Sequence, residues 1–261
     1  MRSFAIPFVA VALIAAACST GSAPSSTDLT IFGAASLKGA LEKAKPAYEA
    51  SHPGITLTLS TDSSAVLEAQ IEQGAPADVF LSADASNPRK LVDGEYASGD
   101  AVDFAGNELT IIVPVDNPAG VTSAADLARS GLKVIAAGDG VPITTYAGQL
   151  VDNLAAEPGF PPGFAAAYAA NIVSKEDNVK AVVAKIELGE GDAGIVYVTD
   201  AAASSKVTTI DVPDAANVRA TYAGVVVKAS PNQEAAKAFL DWFAGPDGRA
   251  ILASFGFLPP S

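Results

Sequence analysis

Hydrophobic positions along this chain switch between two periods. Leu29 to Gly33 is a short apolar run, and from Ser36 onward Leu37, Ala40, Leu41, Ala44 and Tyr48 recur at the spacing of one helical face, with Ser36 where an N-cap belongs. Ile55, Leu57 and Leu59 alternate as a strand. The polar run Ser60-Thr61-Asp62-Ser63-Ser64 then leads into a second helix carrying Val66, Leu67, Gln70 and Ile71. Gly74-Ala75-Pro76-Ala77 stops that helix, and 78–83 reads as a buried strand. Further strands are expected at 109–114, 132–136, 171–174, 193–197, 207–212 and 221–228. Helices are expected around 147–154 and from an Asp177 or Asn178 cap through Val179, Val182, Val183 and Ile186. The Pro- and Gly-rich stretch 157–163 reads as a connector. Ser230-Pro231-Asn232-Gln233 combines an N-cap, a first-turn proline and a capping-box partner, which predicts a helix through Phe239, Leu240 and Phe243.

Alternating β and α units predict an α/β fold of mostly parallel sheets flanked by helices, with ligands at the carboxyl ends of strands where helices begin. The serine turns occupy that position. A helix N-terminus offers unpaired N–H groups and a positive dipole end, which favour an anion without any charged side chain, and a serine adds a hydroxyl donor. Serine at a helix start is also ordinary capping, so the turns alone do not choose a ligand.

The first 18 residues have a positive start, an apolar run from Phe4 to Ala17 too short to span a bilayer, and small residues before Cys18. They read as a cleaved secretory signal over 1–17. Cys18, the only cysteine, follows Ile14-Ala15-Ala16-Ala17 in a way that resembles the lipobox of bacterial lipoproteins, which implies a lipidated N-terminus, with 18–27 as a flexible tether. The domain is then expected outside the cytoplasm, held at the outer face of the cell membrane.

Net charge is −13, which argues against nucleic acid as a partner. It also means that an anion would have to be held by local fixed dipoles against the overall field. The single histidine, His52, lies in a Ser-His-Pro-Gly turn, and HExxH, CxxC and Gly-rich phosphate loops are absent from the sequence. A serine hydrolase using Ser36 or Ser64 lacks a histidine base, so no enzyme activity and no cofactor are expected.

Three segments carry a more specific signal: Ile31-Phe32-Gly33-Ala34-Ala35-Ser36-Leu37, Gln70 through Asp84, and Gly194-Ile195-Val196-Tyr197-Val198-Thr199-Asp200-Ala201. Together they closely resemble the molybdate-binding proteins of ABC importers, over about residues 29 to 258. The resemblance implies a two-lobed type II periplasmic-binding-protein fold with a cleft between lobes. It also implies a bound molybdate or tungstate, delivery to a permease with its ATPase, and a monomer. By position it places ligand contacts on the hydroxyls and N–H groups of Ser36 and Ser64, the N–H groups of Ile143 and Val179, and the hydroxyl of Tyr197. The family loop before its tyrosine differs here, reading Val141-Pro142-Ile143-Thr144-Thr145-Tyr146, so a Thr144 or Thr145 hydroxyl is an alternative donor. Asp62 is expected to point away from an anion. The lobes are expected at 28–106 with 223–261, and at 107–222, with crossings near Gly106-Asn107-Glu108 and Tyr222-Ala223-Gly224. A related protein for sulfate or phosphate is the nearest alternative.

Overall fold

The computed structural model describes residues 26–260; the signal, Cys18 and nearly all of the tether lie outside them. No helix of the described residues is long and apolar enough to cross a membrane.

The first half builds one sheet. Strand β1 (Thr27–Ala34) leads through a 3-10 turn (Ala35–Leu37) into helix α1 (Lys38–Ser51), followed by β2 (Ile55–Asp62), α2 (Ser64–Glu72), β3 (Val79–Ser82), α3 (Ser86–Asp93) and β4 (Val102–Asn107). After Glu108 the chain enters a second sheet through β5 (Leu109–Pro114), then β6 (Val134–Ala137), α4 (Pro142–Ala156), α5 (Phe164–Asn171), β7 (Ile172–Glu176), α6 (Val179–Glu187), β8 (Ala193–Tyr197), α7 (Val198–Ala202) and β9 (Val207–Ile210). It returns to the first sheet as β10 (Ala220–Val226) and ends with α8 (Gln233–Ala244) and α9 (Pro246–Ala253).

Strand order is β2-β1-β3-β10-β4 in one sheet and β7-β6-β8-β5-β9 in the other. In each, every strand runs one way except the strand that has just crossed over: β10 is antiparallel to β3 and β4, and β5 to β8 and β9. Mostly parallel sheets were therefore a sound expectation, and the reversed strand marks each passage. The first passage is at Glu108, between β4 and β5. The second lies earlier than expected, in 211–219, because Tyr222, Ala223 and Gly224 are inside β10, Tyr222 paired with β4 and the other two with both β3 and β4.

Both faces of the first sheet are covered, which is why its strands read as continuous apolar runs. Leu29, Ile31 and Leu81 pack with Leu41 and Tyr48 of α1 and with Phe239 and Phe243 of α8; Phe32, Phe80 and Val225 face Leu67 and Ile71 of α2 and Leu91 of α3. Each such fully buried Leu, Ile or Phe contributes on the order of 1.5–3 kcal/mol. Tyr48 stands edge-on to Phe239, ring centroids 5.0 Å apart, so α1 and α8 lock against each other.

At α1 and α8 the helix start differs from the sequence reading. Ser36 lies inside the 3-10 turn and caps nothing; its hydroxyl pairs with Tyr222 instead. Helix α8 begins at Gln233, not at Pro231, because the Ser230 hydroxyl donates to the carboxylate of Asp78 and accepts the Asn232 N–H at 2.9 Å, holding 230–232 as a turn. Helices α3, α5 and α9 were not expected from the sequence.

Candidate functional site

The carboxyl ends of β1, β2 and β3 in one sheet and of β6, β7 and β8 in the other point toward a single small cavity. Residues just past those ends line it: Ala34 to Ser36, Ser63 and Ser64, Ala83, Val141 to Ile143, Asn178 and Val179, and Tyr197. The space free of atoms there, with its opening to solvent, is about 210 Å³. No lining side chain is charged.

The structure thus brings Ser36, Ser64, Ile143, Val179 and Tyr197 together from segments far apart in the chain. Ser64, Ile143 and Val179 all sit in the first turn of their helices, α2, α4 and α6, where an N–H has no carbonyl within its own helix to accept it. Helix α4 starts earlier than the apolar spacing indicated, with Pro142 at its first position, and this turns the Val141-Pro142-Ile143 loop into a helix N-terminus. The Thr144 hydroxyl is spent on the carbonyl of Gly138 at 2.8 Å, and Thr145 is exposed; neither lines the cavity. At α6 the choice of cap falls on Asn178, whose Oδ1 accepts the Ala181 N–H at 3.1 Å.

Hydroxyl geometry sets who can donate. Ser64 Oγ accepts the Ala83 N–H at 3.0 Å, which leaves the hydroxyl hydrogen of Ser64 available to the cavity. Ser36 Oγ lies 3.0 Å from Tyr222 Oη, which accepts from Asn107 Nδ2 at 3.3 Å; Asn107 Nδ2 also donates to Thr199 Oγ1 at 2.9 Å. When the Tyr222 hydroxyl donates to Ser36, the Ser36 hydrogen is directed elsewhere, and the relay Asn107–Tyr222–Ser36 ends at the cavity. Tyr197 Oη reaches only the Ala83 carbonyl, at 3.5 Å. Burial, with Tyr222, Tyr146 and Asp200 adding to it, pushes the Tyr197 phenol well above its ordinary 10.0, so it stays a neutral donor. Burial likewise raises Tyr222, with Asp200 adding to it.

Behind this layer, Asp200 is buried in α7. Burial raises its carboxyl above 3.8, although Lys180 Nζ, 2.8 Å away at the start of α6, opposes the shift. Asp84 of the second sequence motif accepts from Ser82, Ser86 and the Asn87 side chain and backbone, which fixes the Ala83 loop.

One residue escaped the sequence reading. Ser63, the residue before α2, lines the same cavity at 3% exposure, makes no cap hydrogen bond and leaves its Oγ without a partner. An unpaired buried hydroxyl costs about 1–3 kcal/mol, so this one calls for a partner. The run Ser60-Thr61-Asp62-Ser63-Ser64 contains nothing that separates Ser63 from its neighbours before the chain is folded.

Two α/β lobes joined by chain passages at Glu108 and 211–219, with a small neutral cavity at the facing strand ends, define a two-lobed solute-binding protein. The chain belongs to the bacterial extracellular solute-binding protein family, whose sequence pattern matches residues 29–258. It is 33% identical over 233 residues to the molybdate-binding protein ModA of Mycobacterium tuberculosis, covering 89% of this chain and 85% of that one. Among solved structures it is similar to the periplasmic molybdate-binding protein of Azotobacter vinelandii, with a TM-score of 0.73 and 24% identity over 89% of this chain and 100% of that one. It is also similar to the sulfate-binding protein SubI of Mycobacterium tuberculosis, with a TM-score of 0.80 and 21% identity over 89% of this chain and 87% of that one. Both structural likenesses show the fold.

Proposed function

We propose that this protein captures a small, fully deprotonated tetrahedral oxyanion outside the cytoplasm, molybdate first and tungstate with it, and hands it to an ABC permease and its ATPase. The observation that carries the reading is the convergence of helix N-termini and neutral hydroxyls on a small cavity lined by no charged side chain. Ser36 and Ser64 supply hydroxyl and N–H donors, Ile143 and Val179 supply N–H donors, and Tyr197 and Ser63 supply hydroxyls. Hydrogen bonds to a charged group contribute about 1.5–3 kcal/mol each, so five or six account for roughly 11 kcal/mol of binding after ordering costs. Such local donors act at contact range, where a net charge of −13 spread over the surface is screened.

A cage made only of donors also selects. A dianion accepts from every one, whereas a protonated oxyanion sets its own hydrogen against a donor. That disfavours phosphate and leaves sulfate, the ligand in SubI's name, as the second reading. Molybdate is preferred for the likeness to ModA across 89% of the chain. Catalysis is not proposed: the partners of Ser36 and Ser64 are a neutral phenol and a backbone N–H, and neither accepts a proton as a base. Lipidation of Cys18, a monomeric state, and hinge closure of one lobe on the other about Glu108 and 211–219 belong to the same reading.

Titration calorimetry with molybdate, tungstate, sulfate and phosphate tests it. Tight molybdate and tungstate binding with weak sulfate and no phosphate is expected; tight sulfate binding without a molybdate response overturns the choice of ligand.

A further inference from the structure

One acidic side chain at the cavity mouth is left over by the oxyanion reading, and it makes a contact across the cleft. Asp62 ends β2 in the first sheet, and Asn178 caps α6 beside the second. Asn178 Nδ2 donates to Asp62 Oδ1 at 3.1 Å, joining positions 116 residues apart. The same carboxylate oxygen accepts the Ser63 N–H at 2.7 Å. Because Asn178 Oδ1 is already held by the Ala181 N–H, both ends of its amide are engaged and its orientation is set. A carboxylate therefore stands between the N-terminal ends of α2 and α6, two of the helices that face the cavity. None of the ion pairs among the described residues includes Asp62. In the groove outside it, Lys175 is paired with Asp139 at 2.6 Å and Glu176 with Lys185 at 2.9 Å, so neither cation offsets the Asp62 charge.

We infer that Asp62 is a clasp whose charge sets the affinity of the site. Its bond to Asn178 favours the closed arrangement of the lobes, and its negative charge opposes a bound dianion. Capture is strengthened by the first effect and release by the second. This rests on the oxyanion reading and adds a positioning residue, not a ligand contact: Asp62 does not line the cavity. The two effects separate by substitution. Asp62→Asn keeps an oxygen able to accept both N–H groups and removes the charge, whereas Asp62→Ala removes both.

The test is molybdate titration calorimetry on the wild type and the two variants, at low and at roughly 1 M salt, with melting temperatures checked for folding. Asp62→Asn should bind about fivefold more tightly than wild type at low salt, and the gain should vanish at high salt, where the screening length falls to about 3 Å. Asp62→Ala should bind about fivefold more weakly than Asp62→Asn, the worth of one hydrogen bond. Asn178→Ser keeps a side chain that caps α6 but does not reach Asp62, and should weaken binding by a similar factor; it carries the test should Asp62→Ala not fold. Equal affinities for wild type and Asp62→Asn at low salt overturn the charge effect. Equal affinities for the Asn and Ala variants, or a silent Asn178→Ser, overturn the clasp. A wild-type protein that binds none of the four oxyanions sinks the oxyanion reading itself, an outcome distinct from either.

Discussion

Replacing Ser64 with alanine removes a hydroxyl that accepts the Ala83 N–H and, in the proposed function, donates to the ligand, and the two losses are read by different instruments. In the folded chain Ser64 is 1% exposed, and its Oγ accepts the Ala83 N–H at 3.0 Å while its hydrogen is free to donate into the cavity. Losing a hydrogen bond to a charged ligand costs about 1.5–3 kcal/mol, which at 1.4 kcal/mol per decade is an affinity loss of roughly 10- to 150-fold. The same change leaves the buried Ala83 N–H without its acceptor and lowers ligand-free stability by about 1–3 kcal/mol. Molybdate calorimetry reads the first number. Urea unfolding without ligand reads the second, since bound ligand would itself add stability. A Ser64→Ala protein with lowered stability and full affinity would show that the hydroxyl serves only Ala83, and the serine cage would be refuted.

Tyr222→Phe interrupts the Asn107–Tyr222–Ser36 relay while Asn107 keeps Thr199. Molybdate affinity should fall about three- to tenfold, and an unchanged value would show that Ser36 needs no orienting partner. Asp200 has a folded-state pKa raised above 3.8, so the folded chain holds that proton more tightly than the unfolded chain. Its contribution is most favourable in acid and declines as pH rises from about 3.8 through the raised value. Asp200→Asn should therefore gain stability relative to wild type as pH rises above about 3.8 in denaturant unfolding; a difference that does not change with pH contradicts the shift. At Gly248 a Cβ would stand 2.0 Å from the Phe243 carbonyl oxygen, a backbone atom with no cheap way to move. Gly248→Ala should lose roughly 3 kcal/mol by urea unfolding, and a loss under about 1 kcal/mol would mean that α8 and α9 are free to separate.

Much of this molecule was legible in its apolar spacing. The runs at Leu29 to Gly33, Asp78 to Ala83, Leu109 to Pro114 and Ala193 to Tyr197 became strands because sheets covered on both faces need near-continuous burial. The helical faces of Leu37 to Tyr48 and Val179 to Ile186 likewise hold where one stripe meets a sheet. Local rules misled where a side chain had a distant partner. Ser36 and Ser230 look like N-caps, yet their hydroxyls are taken by Tyr222 and Asp78, residues 186 and 152 positions away. No local pattern encodes such a pairing.

By itself the sequence determined the alternation of strands and helices, the presence of a single histidine and of no HExxH or CxxC motif, and, through likeness of motif, which residues to suspect around the cavity. Only the tertiary structure decided that the first-turn N–H groups of Ser64, Ile143 and Val179 share one space, that Ser63 keeps an unpaired hydroxyl there, and that Asp62 meets Asn178 across the mouth. The reason is directional. Spacing along a chain reports which face a residue takes within its own element, while a site for an anion depends on where several helix ends converge, and that is set by how two sheets pack about their shared crossings.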